Sequence, residues 1–289
     1  MINSIFKISN LAFEIGNLAT KAILYEVSCF PSPGLVSPVS NGAHKDMDYY
    51  TFIDSTCAIT KYLVLFIQVG IDYSKDKEIL FKNIREIGKQ AEKNMFDKTK
   101  GVNTHKGMLF LMGITCAAVG CVINEKKEFN EISNTIKLMT KGIVKKELGN
   151  LTSKKYLSNG EKLFFKYGIE GVRGEVEKGL PIVFDFSLDF YLKNEDLDIN
   201  LRLIHTLLAI MQVCEDTNIV HRHDLDTLNY VKQKSSEIIN LGGVRSKEGY
   251  KKINNLCDEF IKKNISPGGS ADLLGVTVFL AMVKEYMSN

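Results

Sequence analysis

Eight consecutive residues, Asn41-Gly42-Ala43-His44-Lys45-Asp46-Met47-Asp48, gather a His, a Lys and two Asp directly ahead of a long apolar-periodic segment. The preceding Pro31-Ser32-Pro33-Gly34-Leu35-Val36-Ser37-Pro38 cannot be regular helix, because each proline fixes φ, lacks an N–H and biases its predecessor toward extended geometry. Residues 29–48 are therefore a loop between two helices, the kind of segment in which a rigid scaffold displays reactive side chains. A second polar loop, 97–106, ends on His105 and Lys106. A third segment, Tyr167 to Glu175, sets Gly168, Gly171 and Gly174 around Arg173 and is too rich in glycine for a stable helix interior. Further on come Glu215-Asp216, then His221-Arg222-His223-Asp224, and finally Ser266-Pro267-Gly268-Gly269-Ser270 with Asp272 just beyond.

Each residue type in this set suits a part of one chemistry. Lys45, Lys106, Arg173 and Arg222 are cations for phosphate oxygens, Arg as a bidentate fork and Lys as a point charge. Asp46, Asp48, Glu215, Asp216 and Asp272 are hard oxygen donors for Mg²⁺, which typically takes one or two carboxylates together with substrate phosphates. Gly268, Gly269 and Ser270 open the final helix, where free N–H groups and the helix dipole favour an anion. Of the five His, those at 44, 105, 221 and 223 lie in loops beside a Lys or Arg, whereas His205 falls in an apolar helical pattern and is structural. The combination points to a nucleoside triphosphate. GxxxxGK[ST] and a GxGxxG after a strand are both missing from the sequence, which excludes a P-loop and a Rossmann fold.

Helices must position these loops. Apolar residues recur at helical spacing over 4–27, with breaks that predict further helices over 49–71, 76–96, 129–147, 182–193, 199–214, 225–240, 247–263 and 271–287. Ser158-Asn159-Gly160-Glu161 has the form of a capping box and starts another. Gly107 to Ile123 is uncharged, falls short of the roughly 20 residues a bilayer needs, and carries Gly113, Ala117, Ala118 and Gly120. It is expected to be the central buried helix of a soluble bundle. No segment alternates with period two between hairpin turns, so the fold is expected to be all-α, one domain over 1–289 with roughly ten helices and an active site formed by inter-helix loops at one end.

Composition bounds the partners. The net charge of +3 is small against 37 basic and 34 acidic residues, so neither nucleic acid nor membrane is an expected partner. The six Cys form no CxxC pair and fit reduced cytoplasmic thiols. Lys7 and Glu14 interrupt the first segment, unlike a secretory signal.

The segments SPGLVSPVSNGAHKDMD (32–48), NTHKG (103–107), YGIEGVRGE (167–175), EDTNIVHR (215–222) and SPGGSADLL (266–274) together resemble the triphosphoribosyl-dephospho-CoA synthase family. Ser32 stands where that family would have Lys, and His223-Asp224 where it has a glycine-like pair. The resemblance implies an all-helical, cytoplasmic bacterial enzyme that takes ATP and 3′-dephospho-CoA. It would release adenine and make the prosthetic-group precursor of the citrate lyase or malonate decarboxylase acyl carrier protein. It also implies a functional link to the holo-acyl carrier protein transferase. The bond change is a glycosyl transfer through an oxocarbenium-like transition state. Asp46, Asp216 and Asp272 would hold Mg²⁺ and the triphosphate, with Lys45, Lys106, Arg173, Arg222, Gly268, Gly269 and Ser270 around the phosphates. Asp48 or Glu215 would be the base for the attacking hydroxyl, and His44 or His105 would protonate adenine. Arg173 has a structural alternative, pairing with Glu170 or Glu175. An ADP-ribosyl hydrolase-like, Mg-dependent N-glycosidic hydrolase would use the same residue types with water as acceptor.

Overall fold

The computed structural model describes residues 8–149 and 157–288. Among these residues the chain forms α1 (Asn10–Ser28), α2 (Tyr49–Asp72), α3 (Lys77–Lys98), α4 (Lys106–Asn124), α5 (Glu131–Thr140), α6 (Ile143–Leu148), α7 (Asn159–Tyr167) and α8 (Gly171–Glu177). A π-helical turn (Val183–Ser187) leads into α9 (Leu188–Lys193), followed by α10 (Ile199–Val213), α11 (Thr217–Arg222), α12 (Leu225–Asn240), α13 (Lys247–Lys263) and α14 (Gly268–Ser288). No strand occurs among the described residues. The predicted start of the first helix at 4, with Lys7, lies outside them.

Helix starts follow local chemistry. Ser9, Asp48, Asp76, Ser158, Asp198, Asp224 and Ser246 each accept a first-turn N–H, supplying acceptors for donors that have no partner inside the helix. Ser158 and Glu161 complete the predicted capping box.

α4 occupies the centre. Met108 to Val122 are buried apart from Phe110, against α1, α2, α3, α5 and α14. Its small residues act as expected. A Cβ on Gly120 would run into the Ile67 carbonyl, and one on Gly70 of α2 would run into the Ala117 carbonyl, so the two helices touch backbone to backbone. α2 and α4 are long and apolar enough to cross a membrane, and the apolar windows that qualify them are 56% and 78% buried inside the protein. α14 is the second central helix, buried at Leu273, Leu274 and every residue from Val276 to Leu280. One core cluster runs from Ala12 of α1 to Val283 of α14.

The structure differs from the expected elements at four places. The stretch 129–147 breaks at Gly142 (φ 77°), where the Glu177 carboxylate accepts the N–H of Gly142 at 2.6 Å and of Val144 at 3.1 Å. The glycine-rich segment is helical as α8, because Gly168 (φ 71°) ends α7 before it, Gly171 is its first residue and Gly174 alone stands in its interior. Residues 217–222 form the short helix α11, and α14 begins three residues earlier than periodicity indicates.

Candidate active site

Four helices begin at one place. Asp216, the N-cap of α11, accepts the Asn218 N–H at 3.1 Å. The same carboxylate accepts the Ser270 N–H at 2.8 Å, the Ser270 hydroxyl at 3.1 Å and the Gly269 N–H, so it also closes the first turn of α14. Asp272, one turn into α14, accepts the Met108 N–H in the first turn of α4, and its carboxylate leaves no room for a Cβ at Gly107. Gly171, where α8 starts, lies so close to Thr217 that a Cβ would approach its methyl to 2.8 Å. N–H groups without a partner inside their own helix, taken up by Asp216 and Asp272, and positive dipole ends therefore point inward from α4, α11 and α14. The anion that the sequence assigns to the start of α14 is met by the protein's own Asp216 carboxylate.

The carboxyls here are costly to ionise. Asp216 is 1% exposed, and burial raises its carboxyl above the usual range despite its donors. Asp272 is raised well above it by burial and then by the charges of Glu26 and Asp216. Glu26 of α1 is 6% exposed and is pushed up to about 8 by burial. Among the described residues no group of three His, Cys, Asp or Glu side chains forms a ready metal cage. Mg²⁺ needs only one or two carboxylates when phosphates complete its shell, and a divalent cation beside Asp272 and Asp216 would relieve the desolvated charge. The donor set fits.

The loop 29–48 joins this centre from the side. His44 Nε2 lies 2.9 Å from Ser266 Oγ, and the Arg222 guanidinium donates to the Ala43 carbonyl at 2.9 Å. Burial and Arg222 hold the His44 imidazole below its ordinary value, while Asp46, 3.9 Å away, opposes them. Lys45 and Asp46 are exposed. Gly268 packs against Asn218. The five sequence segments thus touch one another in a chain of contacts.

Two expected chemical groups are engaged elsewhere. Asp48 is a helix cap, its Oδ1 accepting the Thr51 N–H at 2.8 Å and hydroxyl at 2.7 Å, and these bonds hold its carboxyl below the usual range. His105 is 1% exposed, with Nδ1 2.7 Å from Ser55 Oγ, its ring edge-on to Phe52 at 5.0 Å, and Nε2 unpartnered. Burial lowers it to about 3, which favours a neutral imidazole over an imidazolium acid at neutral pH. Glu215 is exposed, 3.4 Å from Lys232, on the wall of a cavity of about 330 Å³ that also meets Cys214 and Gly269.

Arg173 pairs with neither Glu170 nor Glu175. Its Nε donates to Glu147 at 2.7 Å, while Glu170 binds Lys178 at 2.6 Å and Glu175 accepts the Ile182 N–H. Arg173 and Lys106 line one second cavity. Sequence reasoning passed over Glu26, Ser55, Arg85 and Glu147. Only Glu26 had a signal: it continues the apolar face of α1 at four residues from Ala22 and three from Ile23, where a carboxylate is out of place.

Residues 12–289 match the family model described as ATP:dephospho-CoA triphosphoribosyl transferase. A protein of Malonomonas rubra named "Probable 2-(5''-triphosphoribosyl)-3'-dephosphocoenzyme-A synthase" is 40% identical, covering 97% of this chain and 90% of its own. The 2-(5''-triphosphoribosyl)-3'-dephosphocoenzyme-A synthase of Escherichia fergusonii is 39% identical over 92% of this chain and 90% of its own. A crystal structure from Archaeoglobus fulgidus, assigned to triphosphoribosyl-dephospho-CoA synthase, aligns over 80% of this chain and 98% of that one at 14% identity and a TM-score of 0.48.

Proposed function

The chain belongs to the ATP:dephospho-CoA triphosphoribosyl transferase family, and from that premise we propose how its own residues carry the reaction. The enzyme moves the 5-triphosphoribosyl group of ATP onto a ribose hydroxyl of 3′-dephospho-CoA and releases adenine. The bond from C1 of the ATP ribose to adenine breaks, a C1–oxygen bond forms, the hydroxyl proton is taken up, and adenine leaves protonated. The phosphates are not cleaved, so the site must hold a triphosphate and stabilise positive charge at C1.

One observation carries the assignment: α4, α11 and α14 begin at the buried Asp216 carboxyl and the half-buried Asp272 carboxyl. Asp272, with Asp216 beside it, would hold Mg²⁺, which would neutralise charge on the triphosphate. The carboxylates also suit the developing cation at C1. Of the two candidate bases, Asp48 is occupied as a cap, and Glu215 stands exposed on a cavity wall where a hydroxyl can reach it. Of the two candidate acids, His105 is enclosed, and His44, half-buried between Asp46 and Ser266, is the one a leaving base can reach. Arg222 fixes the loop carrying His44 through the Ala43 carbonyl.

The same proposal places the enzyme in the cytoplasm, makes its product the prosthetic-group precursor of a citrate lyase or malonate decarboxylase carrier protein, and links it to the holo-acyl carrier protein transferase. Incubation with ATP, Mg²⁺ and dephospho-CoA, followed by mass analysis, tests it. Adenine and the triphosphoribosyl adduct should appear in equal amounts. Adenine released without dephospho-CoA would instead indicate a hydrolase.

A further inference from the structure

A cavity of about 300 Å³ opens between α3, α4 and α8, with Arg85, Lys89, Lys106 and Arg173 on its walls and Phe66 and Phe110 among its apolar lining. Arg85 and Lys89 belong to none of the five sequence segments. With Glu92 they recur at helical spacing on one face of α3.

Glu147 of α6 ties the two guanidinium groups together. Its Oε1 is 2.9 Å from Arg85 Nη2 and its Oε2 is 2.7 Å from Arg173 Nε. Each Arg has five N–H donors in a rigid fork, so most remain for another acceptor. Lys106 is held by Glu92 at 2.6 Å and Lys89 by Glu86 at 2.7 Å. Glu92 is the only acidic side chain on the cavity wall among the described residues, against four cations. The wall also includes Gly107, whose backbone lies against the Asp272 carboxylate. Across α8, the cavity beside Cys214 has the opposite balance, with Glu170, Glu175 and Glu215 against Lys178.

We propose that the cavity between α3, α4 and α8 seats the triphosphate of ATP, with Arg85 and Lys89 joining Lys106 and Arg173 as its phosphate ligands. The assignment rests on the transfer reaction proposed above, in which the triphosphate is gripped and never cut. A triphosphate carries about four negative charges and three sets of phosphate oxygens, and the guanidinium donors left over by Glu147, with the ammonium groups of Lys89 and Lys106, suit those oxygens in donor geometry. Gly88, on the same face of α3, completes the seat: a Cβ built there meets nothing within 4 Å, so the wall stays open for a ligand.

Three variants test this: Arg85→Gln and Lys89→Gln, whose side chains are 39% and 67% exposed, and Gly88→Leu, which keeps every cation and fills the space. Calorimetry with inorganic tripolyphosphate, separate KM values for ATP and dephospho-CoA, and melting temperatures are the readouts. Tripolyphosphate should bind the wild type in competition with ATP. Arg85→Gln and Gly88→Leu should each weaken that binding about tenfold or more and raise the KM for ATP alike, with melting temperature and the KM for dephospho-CoA unmoved. Lys89→Gln should do the same to a smaller degree. Folded variants with unchanged tripolyphosphate affinity, or a KM change that falls on dephospho-CoA, overturn the assignment. A wild type that binds tripolyphosphate and forms no adduct overturns the transfer reaction while leaving the anion seat standing.

Discussion

Glu26→Gln isolates one buried charge, because Gln reproduces the shape of a protonated carboxyl. The carboxyl of Glu26 is raised from its ordinary 4.5 to about 8 by burial alone. The folded chain keeps a proton there that the unfolded chain releases near pH 4.5, so between the two values the native state binds more protons. The contribution to stability is therefore fully present below about 4.5 and is lost as pH rises through about 8. At about 1.4 kcal/mol per pH unit, the whole window amounts to at most roughly 5 kcal/mol. Urea unfolding at pH 5, 6, 7 and 8 in EDTA measures it, with the slope of free energy against denaturant as a check that the unfolded state is unchanged. Wild type should lose stability with pH more steeply than Glu26→Gln, by up to about 1.4 kcal/mol per unit, and the variant should be the more stable protein at pH 8. Parallel pH curves would refute the burial of an ionisable group at this position.

Arg173→Lys keeps the charge and loses the fork, so turnover with ATP should fall at least about tenfold, equivalent to roughly 1.4 kcal/mol, in a variant that melts like wild type; near wild-type kinetics would make Arg173 a structural partner of Glu147. Excess EDTA should abolish turnover and Mg²⁺ should raise the melting temperature, and full activity in EDTA would remove the metal from Asp272 and Asp216. Ser55→Ala strips the Nδ1 partner from buried His105 and an acceptor from the Thr104 hydroxyl; the expected loss is about 1–3 kcal/mol of stability, and an unchanged melting temperature would count against His105 as a structural anchor.

The buried helix α4 was legible because its small residues state how closely a neighbour can come, and Gly120 meets the backbone of α2 as that pattern implies. The boundaries of α12 and α13 were legible because Asp224 and Ser246 cap them locally. The meeting of the five loops was legible from their residue types, since helices of this length return the chain repeatedly to the same ends. What escaped depends on partners distant in sequence. No local pattern shows that the first N–H groups of α14 are taken by Asp216, or that Glu147 spans Arg85 and Arg173. The glycines of 168–174 argued against a helix; they serve a helix end and the close packing of α8 on Thr217. Asp48 and His105 looked reactive because side-chain type says nothing of what already occupies it.

The two central aspartates differ in spare valence. A carboxylate offers about four lone-pair positions, and Asp216 fills that number with the N–H groups of Asn218, Gly269 and Ser270 and the Ser270 hydroxyl. Asp272 accepts the Met108 N–H and keeps lone pairs to spare. Asp216 is thus a rivet through the ends of α11 and α14, which cannot trade a partner without loosening two helices at once. In the reaction proposed above, Asp272 would be the exchangeable contact, the side on which an arriving cation would be met first and from which it could leave with the rivet still in place.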